Sequence, residues 1–311
     1  MTTIIFDPIS DQALDYAYKN LKDVIRWDEV KEEDLEKCDA CIIRVYKLDK
    51  DTIDKMPNLK IIAKHGVGTD SIDLDYAKSK GIRVTNTPTA NSNSVAELIV
   101  GLSLALARKI VDSHKKVQEG VDRISPPELT GFELSNKTIG LIGLGNIGKI
   151  AANTFVNGFS MKVIVYDPYL DEKTCEDLGF SKVEQLEDLL KQADIVNISV
   201  PLTKGTENMI GHDQFKQMKE TAILINASRG KIVNEADLYD ALKEKAIFGA
   251  AMDAFEVEPV EKDNPLLECE NFIATPHNGA NTVDSLVRMG TGAVDEIVRL
   301  NKGEENQHIV V

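Results

Sequence analysis

The amino-acid sequence predicts an α/β protein with two doubly wound parallel sheets. Short apolar runs rich in β-branched residues alternate along the whole chain with longer amphipathic segments, which is the pattern of parallel strands joined by crossover helices. At 311 residues the chain is also long for one hydrophobic core and natural for two. We therefore expect two domains, each built around its own sheet.

The first predicted sheet lies in the amino-terminal part of the chain. Its strands are expected at Thr3–Phe6, Ala40–Val45, Lys60–His65 and Ile82–Asn86. Segments of helical pattern lie between them, including Gln12–Lys22 and Asp70–Lys80. The second of these segments is followed by Gly81, which is typical of a helix C-cap. This alternation predicts the first α/β domain.

The second predicted sheet begins at Lys137. Six strands are expected, at Lys137–Gly143, Lys162–Asp167, Asp194–Val200, Ala222–Ser228, Gly249–Phe255 and Phe272–Pro276. A helical segment at Asn91–Gln118 bridges the two halves, and another at Thr282–Leu300 follows the sixth strand. Because the last helix is expected to return to the first sheet, the predicted domains are residues 1–94 plus 283–311 and residues 95–282.

Charge and hydropathy exclude several classes of protein. The chain has 36 Lys and Arg against 51 Asp and Glu, a formal net charge of -15, which disfavours binding to nucleic acid or to an anionic membrane surface. The longest apolar stretch, Val95–Ala107, contains Glu97 and is too short to span a bilayer. The printed sequence starts without a secretory signal. We therefore expect a cytoplasmic protein.

The four cysteines are expected to be thiols rather than a disulfide framework. Cys38 and Cys41 have a spacing that occurs in redox and zinc sites, but the chain has no second pair, and Cys41 opens an apolar run that predicts a buried strand. No clustered His and Cys ligand spacing appears elsewhere. The sequence therefore predicts no metal site.

A glycine pattern at the start of the second sheet predicts a dinucleotide site. Gly143, Gly145 and Gly148 follow an apolar strand and open a helical segment, so they can make the tight turn, the close approach to a pyrophosphate and the strand–helix contact that the GxGxxG fingerprint needs. Asp167 follows 19 residues after Gly148 at the end of the next strand. Its carboxylate can accept hydrogen bonds from ribose hydroxyls and repels a 2′-phosphate, which favours NAD over NADP.

Three polar residues each follow an apolar run of the second sheet, namely Arg229, Glu258 and His277. Because the ligand crevice of an open parallel sheet lies outside the carboxyl ends of its strands, we expect the three side chains to meet there. Reduction of a 2-oxo acid needs a cation for the substrate carboxylate, a proton donor for the nascent alkoxide and a group that keeps the donor charged. The trio can fill these roles, which predicts a hydride-transfer enzyme.

With these residues in place, the chain resembles the D-isomer-specific 2-hydroxyacid dehydrogenases over nearly its whole length. The motifs that carry the resemblance are Gly66–Asp73, Asn86–Leu98, Gly143–Gly148, Val200–Thr206, Ile225–Leu238, Met252–Pro259 and Thr275–Thr282. The resemblance implies a Rossmann NAD-binding domain, a flavodoxin-like substrate domain and catalytic roles for Arg229, Glu258 and His277. It also implies a homodimer formed across the apolar bridging helix, whose apolar residues are Val95, Leu98, Ile99, Leu102, Leu104 and Leu106.

The resemblance also implies residues that contact the ligands. Asp253 matches the acceptor for the nicotinamide amide, and Val67 and Gly68 match the loop that binds the substrate carboxylate. The remaining cofactor contacts fall on Ser94, Asn146, Ile147, Val200, Thr206, Ala227 and Ser228. Arg44 and Lys64 follow neighbouring strands of the first sheet and are either the site of a second substrate charge or ordinary surface cations.

The substrate is less closely defined than the reaction. The loop at Val67 with Arg44 and Lys64 favours a 3-phosphoglycerate-like acid in a short form of phosphoglycerate dehydrogenase, without the carboxyl-terminal regulatory domain of longer forms. Hydroxypyruvate or glyoxylate reduction is the alternative. An alternative of another class is an NAD-sensing binding protein similar to transcriptional corepressors. Two departures from the family pattern bear on specificity: Asn278 replaces an aliphatic residue, and the usual tryptophan is missing from residues 121–134.

Overall fold

The computed structural model describes residues 1–121 and 124–311, and these divide into two compact units. Unit 1 comprises Met1–Ser94 and Ala280–Val311, and unit 2 comprises Val95–Gly279. The chain returns to unit 1 three residues earlier than the predicted domain boundary at 282. Asp122 and Arg123 lie outside the described residues.

Strands and helices alternate through both units. The strands are β1 (Thr2–Ile5), β2 (Asp23–Ile25), β3 (Cys38–Ile43), β4 (Ile61–Lys64), β5 (Arg83–Thr85), β6 (Thr138–Ile142), β7 (Lys162–Tyr166), β8 (Ser181–Lys182), β9 (Ile195–Ile198), β10 (Ile223–Asn226), β11 (Gly249–Met252) and β12 (Phe272–Ala274). The helices are α1 (Asp11–Asn20), α2 (Glu32–Leu35), α3 (Lys50–Asp54), α4 (Leu74–Ser79), α5 (Ser92–Ala107), α6 (Ile110–Glu119), α7 (Asn146–Phe159), α8 (Glu172–Asp177), α9 (Leu186–Gln192), α10 (His212–Phe215), α11 (Glu235–Lys243) and α12 (Val283–Lys302).

In the described part of unit 1, five parallel strands form a sheet in the order β2-β1-β3-β4-β5. This is the strand order of flavodoxin-like folds. Ile4 and Ile62 belong to the core on one face of the sheet, and Ile5 and Ile61 belong to the core on the other face. Because both faces are covered, the strands are continuously apolar, as expected for a parallel sheet.

In the described part of unit 2, seven parallel strands have the order β12-β11-β10-β9-β6-β7-β8. Six of them follow the doubly wound order of a Rossmann domain, and β12 extends the sheet at one edge. Cores of buried apolar residues cover both faces, with Leu224 on one side and Ile225 on the other. The order reverses between β6 and β9, so the ligand crevice is expected at the carboxyl ends of these strands. The predicted two-sheet α/β fold class is confirmed.

The structure corrects some predicted element boundaries. The strands β2 and β8 were not predicted, because they have only three and two residues at sheet edges. The predicted helix at Asn91–Gln118 is two helices, α5 and α6, separated at Lys109, which has a left-handed φ of 49°. The carbonyl of Ala107 accepts a hydrogen bond from the Phe132 N–H at 2.8 Å. This tertiary contact ends α5.

The helices and the cysteine thiols bear on two further predictions, the absence of a membrane span and of disulfides. None of the helices within residues 1–121 and 124–311 is both long and apolar enough to cross a bilayer. The cysteines Cys38, Cys41, Cys175 and Cys269 are buried free thiols, as predicted. Burial raises the pKa of the Cys38 thiol to about 12, so this sulfur is protonated and unreactive at neutral pH.

Candidate active site

The glycine-rich loop between β6 and α7 has the close backbone contacts of a dinucleotide-binding turn. Gly143 has a φ of 89°, and a Cβ atom on it would lie 2.7 Å from the Ser199 carbonyl oxygen. A Cβ atom on Gly148 would lie 2.9 Å from the Gly143 carbonyl oxygen, whereas one on Gly145 would meet no described atom within 4 Å. Packing therefore requires Gly143 and Gly148, and Gly145 leaves space for a ligand above the turn.

Helix α7 begins directly at this loop. Its first backbone hydrogen bond runs from the Lys149 N–H to the Gly145 carbonyl at 3.0 Å, so the N–H groups of the first turn point along the helix axis toward the loop. Asn146 and Ile147 form this turn. The N–H groups and the helix dipole make a site suited to a pyrophosphate.

Asp167 lies just after β7, beside the glycine-rich loop. Its Oδ2 accepts a hydrogen bond from the Leu144 N–H at 3.1 Å, and its Oδ1 accepts one from the Tyr169 N–H at 3.0 Å. Each carboxylate oxygen can accept a further hydrogen bond, and the side chain is partly exposed. The residues present therefore fit a nucleotide with free ribose hydroxyls, as in NAD.

The loop after β10 places Arg229 against the loop after β11. Gly230 makes the contact, because a Cβ atom there would lie 1.9 Å from the Phe255 carbonyl oxygen. The Arg229 Nη1 donates to the Ser228 carbonyl at 2.8 Å. The guanidinium charge influences the pKa of both Glu258 and His277. Unit 2 thus brings together the three predicted catalytic residues.

Glu258 and His277 form a hydrogen-bonded pair with 2.8 Å between Oε2 and Nδ1. Because a carboxylate can only accept, Nδ1 carries the proton of this bond, and Nε2 is the nitrogen that can exchange a proton with a substrate. The side chain of His277 is 49% exposed and that of Glu258 is 36% exposed. A ligand can therefore reach the pair.

Each member of the pair stabilises the charged form of the other. The hydrogen bond to Glu258 raises the pKa of His277 above its ordinary value, although burial opposes the shift. Partial burial alone would raise the pKa of Glu258, but the hydrogen bonds from His277 and the Phe255 N–H and the nearby positive charges outweigh it and lower that pKa. At neutral pH Glu258 is ionised and favours an imidazolium at His277.

Asp253 anchors the loop that carries His277. Asp253 is 2% exposed. Its Oδ1 accepts hydrogen bonds from the Thr275 hydroxyl at 2.5 Å and from the Asn278 N–H at 2.6 Å. Its Oδ2 accepts one from the Gly279 N–H at 2.8 Å. His277 itself has a φ of 52°, a left-handed conformation that costs energy for a residue with a side chain. The bonds to Asp253 hold the loop in this conformation.

Two supporting residues were missed by sequence reasoning. Glu235 accepts hydrogen bonds from the Glu256 N–H at 2.6 Å and from the Asn264 amide at 2.8 Å, and so fixes the loop that carries Glu258. Asn226 is fully buried and contacts the loop of Arg229. The one sequence signal for Asn226 is a polar residue inside an otherwise apolar strand, and Glu235 has none.

The other predicted cofactor contacts lie near the ends of β9 and β10 and on α5. Val200 borders the glycine-rich loop, since a Cβ atom on Gly143 would lie 2.7 Å from its Cγ1. The Thr206 hydroxyl closes the loop after β9 by donating to the Pro201 carbonyl at 2.7 Å. Ala227 and Ser228 connect β10 to Arg229, and Ser94 is buried in the first turn of α5.

Unit 1 carries the predicted substrate loop after β4. The Asn86 amide donates to the Val67 carbonyl at 2.9 Å, and the Thr87 hydroxyl accepts from the Gly66 N–H at 3.0 Å. These bonds fix the turn, while the N–H groups of Val67 and Gly68 donate to no acceptor within the described part of the chain. Converging N–H groups of this kind can bind an anion.

Arg44 and Lys64 lie at the carboxyl ends of β3 and β4. Lys64 is 7% exposed, and its ammonium donates to the Arg44 carbonyl and to the Ser71 hydroxyl. Asp7 Oδ2 accepts from the Arg44 N–H at 2.6 Å. Lys64 is therefore a buried support for Arg44 rather than a surface cation. Burial lowers the pKa of the neighbouring His65 to about 4, so this imidazole is neutral at pH 7.

Two further sequence predictions concern metals and the missing tryptophan. The described residues contain no group of three or more His, Cys, Asp or Glu side chains that could hold a metal ion. The segment at 121–134 falls partly on Asp122 and Arg123, which lie outside the described residues.

Comparison with known proteins identifies the family. The model of the D-isomer specific 2-hydroxyacid dehydrogenase, NAD binding domain, matches residues 100–279, which lie inside unit 2. The chain is 40% identical to a D-3-phosphoglycerate dehydrogenase of Methanocaldococcus jannaschii over 99% of its own length, and it spans 59% of that relative. It is 37% identical to a glyoxylate reductase of Korarchaeum cryptofilum, covering 89% of this chain and 84% of the relative.

Solved structures agree with the sequence comparisons. The crystal structure of a D-lactate dehydrogenase from Aquifex aeolicus, complexed with NAD and lactic acid, is 32% identical to this chain. The likeness covers 100% of this chain and 99% of that one, with a TM-score of 0.86. The chain therefore belongs to the D-isomer-specific 2-hydroxyacid dehydrogenase family, and unit 2 carries its NAD-binding domain.

Proposed function

We propose that this protein is an NAD-dependent oxidoreductase that interconverts a small 2-oxo acid and the corresponding 2-hydroxy acid. The observation that carries the proposal is the 2.8 Å contact between His277 Nδ1 and Glu258 Oε2. The pair lies beside Arg229 at the carboxyl ends of strands in the NAD-binding domain. A proton donor and a carboxylate-binding cation at this place are the groups that reduction of a 2-oxo acid requires.

In this proposal His277 donates the proton in reduction and accepts it in oxidation. The raised pKa of His277 increases the protonated fraction of the imidazole at neutral pH. Nε2 transfers its proton to the nascent alkoxide oxygen, while Nδ1 remains bonded to Glu258. Glu258 stays ionised throughout and stabilises the imidazolium before the transfer.

Arg229 binds the substrate carboxylate and polarises the adjacent keto oxygen. Its planar guanidinium presents paired N–H donors that match a carboxylate bidentately. Bidentate binding fixes the direction of the carbonyl relative to His277 as well as the position of the substrate. Lysine has the charge of arginine but not this geometry.

The cofactor contacts that we assign, apart from Ser94, belong to unit 2. Gly143, Gly145, Gly148, Asn146 and Ile147 would hold the pyrophosphate, and Asp167 would hold the ribose. Asp253 would accept from the nicotinamide amide through the remaining capacity of its oxygens. The remaining assigned contacts are Ser94, Val200, Thr206, Ala227 and Ser228. When bound, NADH supplies the hydride for the carbonyl carbon.

We propose that residues of unit 1 contribute substrate contacts in addition to Arg229, and we favour a 3-phosphoglycerate-like substrate. The N–H groups of Val67 and Gly68 would bind the carboxylate. Arg44, supported by the buried ammonium of Lys64, would bind a second negative charge such as a phosphate. The similarity to a D-3-phosphoglycerate dehydrogenase supports this choice.

Hydroxypyruvate or glyoxylate reduction is the second candidate, and the similarity to a glyoxylate reductase favours it. Arg44→Ala separates the two. If the substrate is phosphorylated, Arg44→Ala should weaken binding of that substrate. The kcat/KM of the same variant for glyoxylate, which has no second charge, should be unchanged. A binding protein similar to NAD-sensing corepressors is the alternative of another class. An intact acid–base pair does not separate these two classes, whereas the formal net charge of -15 favours the enzyme.

We also propose that the protein is a homodimer. The apolar residues Ile99 and Leu102 of α5 are buried in the core of unit 2, so they are not available to a partner. Helix α6 has no buried residue, and Val117 and the following Ile124 are 67% and 94% exposed. Val117 and Ile124 line an apolar groove with a volume of about 420 Å³. A second copy of this face would cover it.

The buried free thiols fit a reducing compartment, which supports the cytoplasm as the location.

The activity is tested by following NADH absorbance with a panel of 2-oxo acids that includes 3-phosphohydroxypyruvate, hydroxypyruvate, glyoxylate and pyruvate. We expect oxidation of NADH with at least one of them and the highest kcat/KM with the phosphorylated acid. No oxidation with any 2-oxo acid by protein that binds NADH would contradict the proposed activity and favour the binding protein.

A further inference from the structure

We propose that Asn226 is a positioning residue for Arg229. Its amide holds the short backbone turn on which Arg229 lies, and so sets the direction of the guanidinium. The inference rests on the proposed role of Arg229 in binding the substrate carboxylate. Asn226 itself touches neither substrate nor cofactor in this account.

The contacts of Asn226 converge on the turn that follows β10. Its Nδ2 donates to the Arg229 carbonyl oxygen at 2.9 Å. Its Oδ1 accepts from the Ser228 hydroxyl at 2.8 Å and from the Ser228 N–H at 3.2 Å. The side chain is 0% exposed, so water does not compete for these groups. One planar amide therefore closes the turn from both sides.

The guanidinium is coupled to the same turn. Arg229 Nη1 donates to the Ser228 carbonyl at 2.8 Å, and the Ser228 N–H is held by Asn226. A shift of Ser228 therefore moves both the backbone of Arg229 and an acceptor that fixes its side chain. This connects the amide of Asn226 to the orientation of the catalytic cation.

The two ends of the turn are held independently. Asn226 is the last residue of β10, where its carbonyl accepts from the Asp253 N–H at 2.9 Å. At the other end, Gly230 lies against the Phe255 carbonyl with no room for a Cβ atom. Ser228 and Arg229 lie between these fixed points. Asn226 is thus a side chain that holds the intervening residues through hydrogen bonds to both of them.

The chemistry of the turn requires an amide at this position. Aspartate would keep the acceptor for Ser228 but would lose the donor and place an oxygen against the Arg229 carbonyl. Alanine would lose both functions and leave the carbonyl and the N–H groups to rearrange. Misplacement of a catalytic group by roughly 1 Å can lower the rate by about a hundredfold. Loss of the amide should therefore reduce catalysis without removing any group that touches the substrate.

A double-mutant cycle tests this coupling. Asn226→Ala and Asn226→Asp are made in the wild-type protein and in the Arg229→Lys variant, and kcat/KM for the 2-oxo acid is measured in each. Asn271→Ala is the matched control, because Asn271 also donates its amide to a backbone carbonyl, that of Phe248 at 3.2 Å, but at the amino end of β12. NADH binding and thermal unfolding report whether each variant is folded.

In the wild-type background, at saturating NADH, we expect Asn226→Ala to lower kcat/KM for the 2-oxo acid by on the order of 10- to 100-fold. In the Arg229→Lys background, where the bidentate grip is already lost, the same substitution should cost no more than about threefold. Asn226→Asp should show the same dependence on background. Asn271→Ala should leave kcat/KM unchanged in both backgrounds.

The outcomes distinguish failure of this inference from failure of the proposed function. Equal losses from Asn226→Ala in both backgrounds would show that Asn226 does not act through Arg229, and so would full activity in the folded variant. If Asn226→Ala does not bind NADH, the losses in kcat/KM caused by Asn226→Asp in the two backgrounds are compared instead, and equal losses would again exclude an action through Arg229. An Arg229→Lys variant with wild-type kcat/KM would instead contradict the proposed function itself.

Discussion

The charge of His277 depends most on Glu258, because the hydrogen bond to this carboxylate is the largest influence that raises the pKa of His277, and Asp253 adds a smaller one. His277 must be protonated to donate, so the reduction rate should fall as pH rises through this pKa. Glu258→Gln removes the negative neighbour and lowers the pKa of His277. The alkaline limb of a pH series of the reduction rate should therefore move to lower pH.

Glu256→Gln is the control for this experiment. Glu256 is exposed in the same loop, and its hydrogen bond to Glu235 is made by its backbone N–H. The alkaline limb of the pH series for Glu256→Gln should coincide with that of the wild-type protein. An unmoved limb in Glu258→Gln would mean that Glu258 does not set the protonation of His277.

Asp167 is expected to set cofactor preference through both its hydrogen-bonding capacity and its charge. Asp167→Ala should weaken NAD binding and relax discrimination against NADP, because the ribose acceptor and the repulsion of a 2′-phosphate are both lost. Asp167→Asn keeps an acceptor but removes the charge, so it should retain more NAD affinity while still admitting NADP. Steady-state kinetics with both cofactors measure this. A wild-type protein that prefers NADP would refute the role given to Asp167.

Residues of distinctive chemistry can be nominated from the sequence, whereas residues whose role is positional are missed. The glycines of the GxGxxG loop and the three predicted catalytic residues each follow a predicted strand at a recognisable spacing. Asn226 and Glu235 act through hydrogen bonds to loops that are folded back against them, and such contacts depend on tertiary structure. Lys64 was predicted from its charge, but its burial against the Arg44 carbonyl was not.

Among the elements, the close approach of the loops after β10 and β11 is the contact on which the site depends. Gly230→Ala would place a Cβ atom 1.9 Å from the Phe255 carbonyl oxygen, so the loops must separate. We expect a loss of about 1–3 kcal/mol in the free energy of unfolding, as for other overpacked sites, together with a fall in kcat/KM. Denaturant unfolding and kinetics on the same samples measure both effects.

Gly158→Ala is the comparison for Gly230→Ala. Gly158 lies in α7, and a Cβ atom there would meet no described atom within 4 Å. This substitution should raise stability by up to about 1 kcal/mol through helix propensity and leave kcat/KM unchanged. If Gly230→Ala is equally harmless, the tight contact between the loops is not required.

Element boundaries were predictable where local sequence determines them. Gly81 follows α4 with a φ of 71°, as its sequence position predicts. Helix α4 begins later than the predicted Asp70, because Ile72 pairs with Leu48 and Asp73 caps the helix by accepting from the Tyr76 N–H. The pairing partner is more than 20 residues away in sequence, so no local pattern indicates it.

At the scale of the whole molecule, the exposed apolar face of α6 predicts self-association. Light scattering at micromolar concentration should give twice the mass of the chain. Val117→Asp places a charge in the proposed interface and should shift the mass toward that of one chain. Val283→Asp is the control, because Val283 is 72% exposed on α12 in unit 1 and its substitution should leave the dimer intact. A monomeric wild-type protein would overturn the proposed assembly.

We propose that His277 supplies the proton for reduction and that the site binds NADH independently of this residue. The measurement that tests this most directly is the single-turnover rate of NADH oxidation by His277→Ala with the preferred 2-oxo acid, alongside an NADH titration of the same variant. We expect the rate to fall by on the order of a hundredfold to ten-thousandfold, with NADH affinity unchanged. A near wild-type rate in this variant would contradict the account.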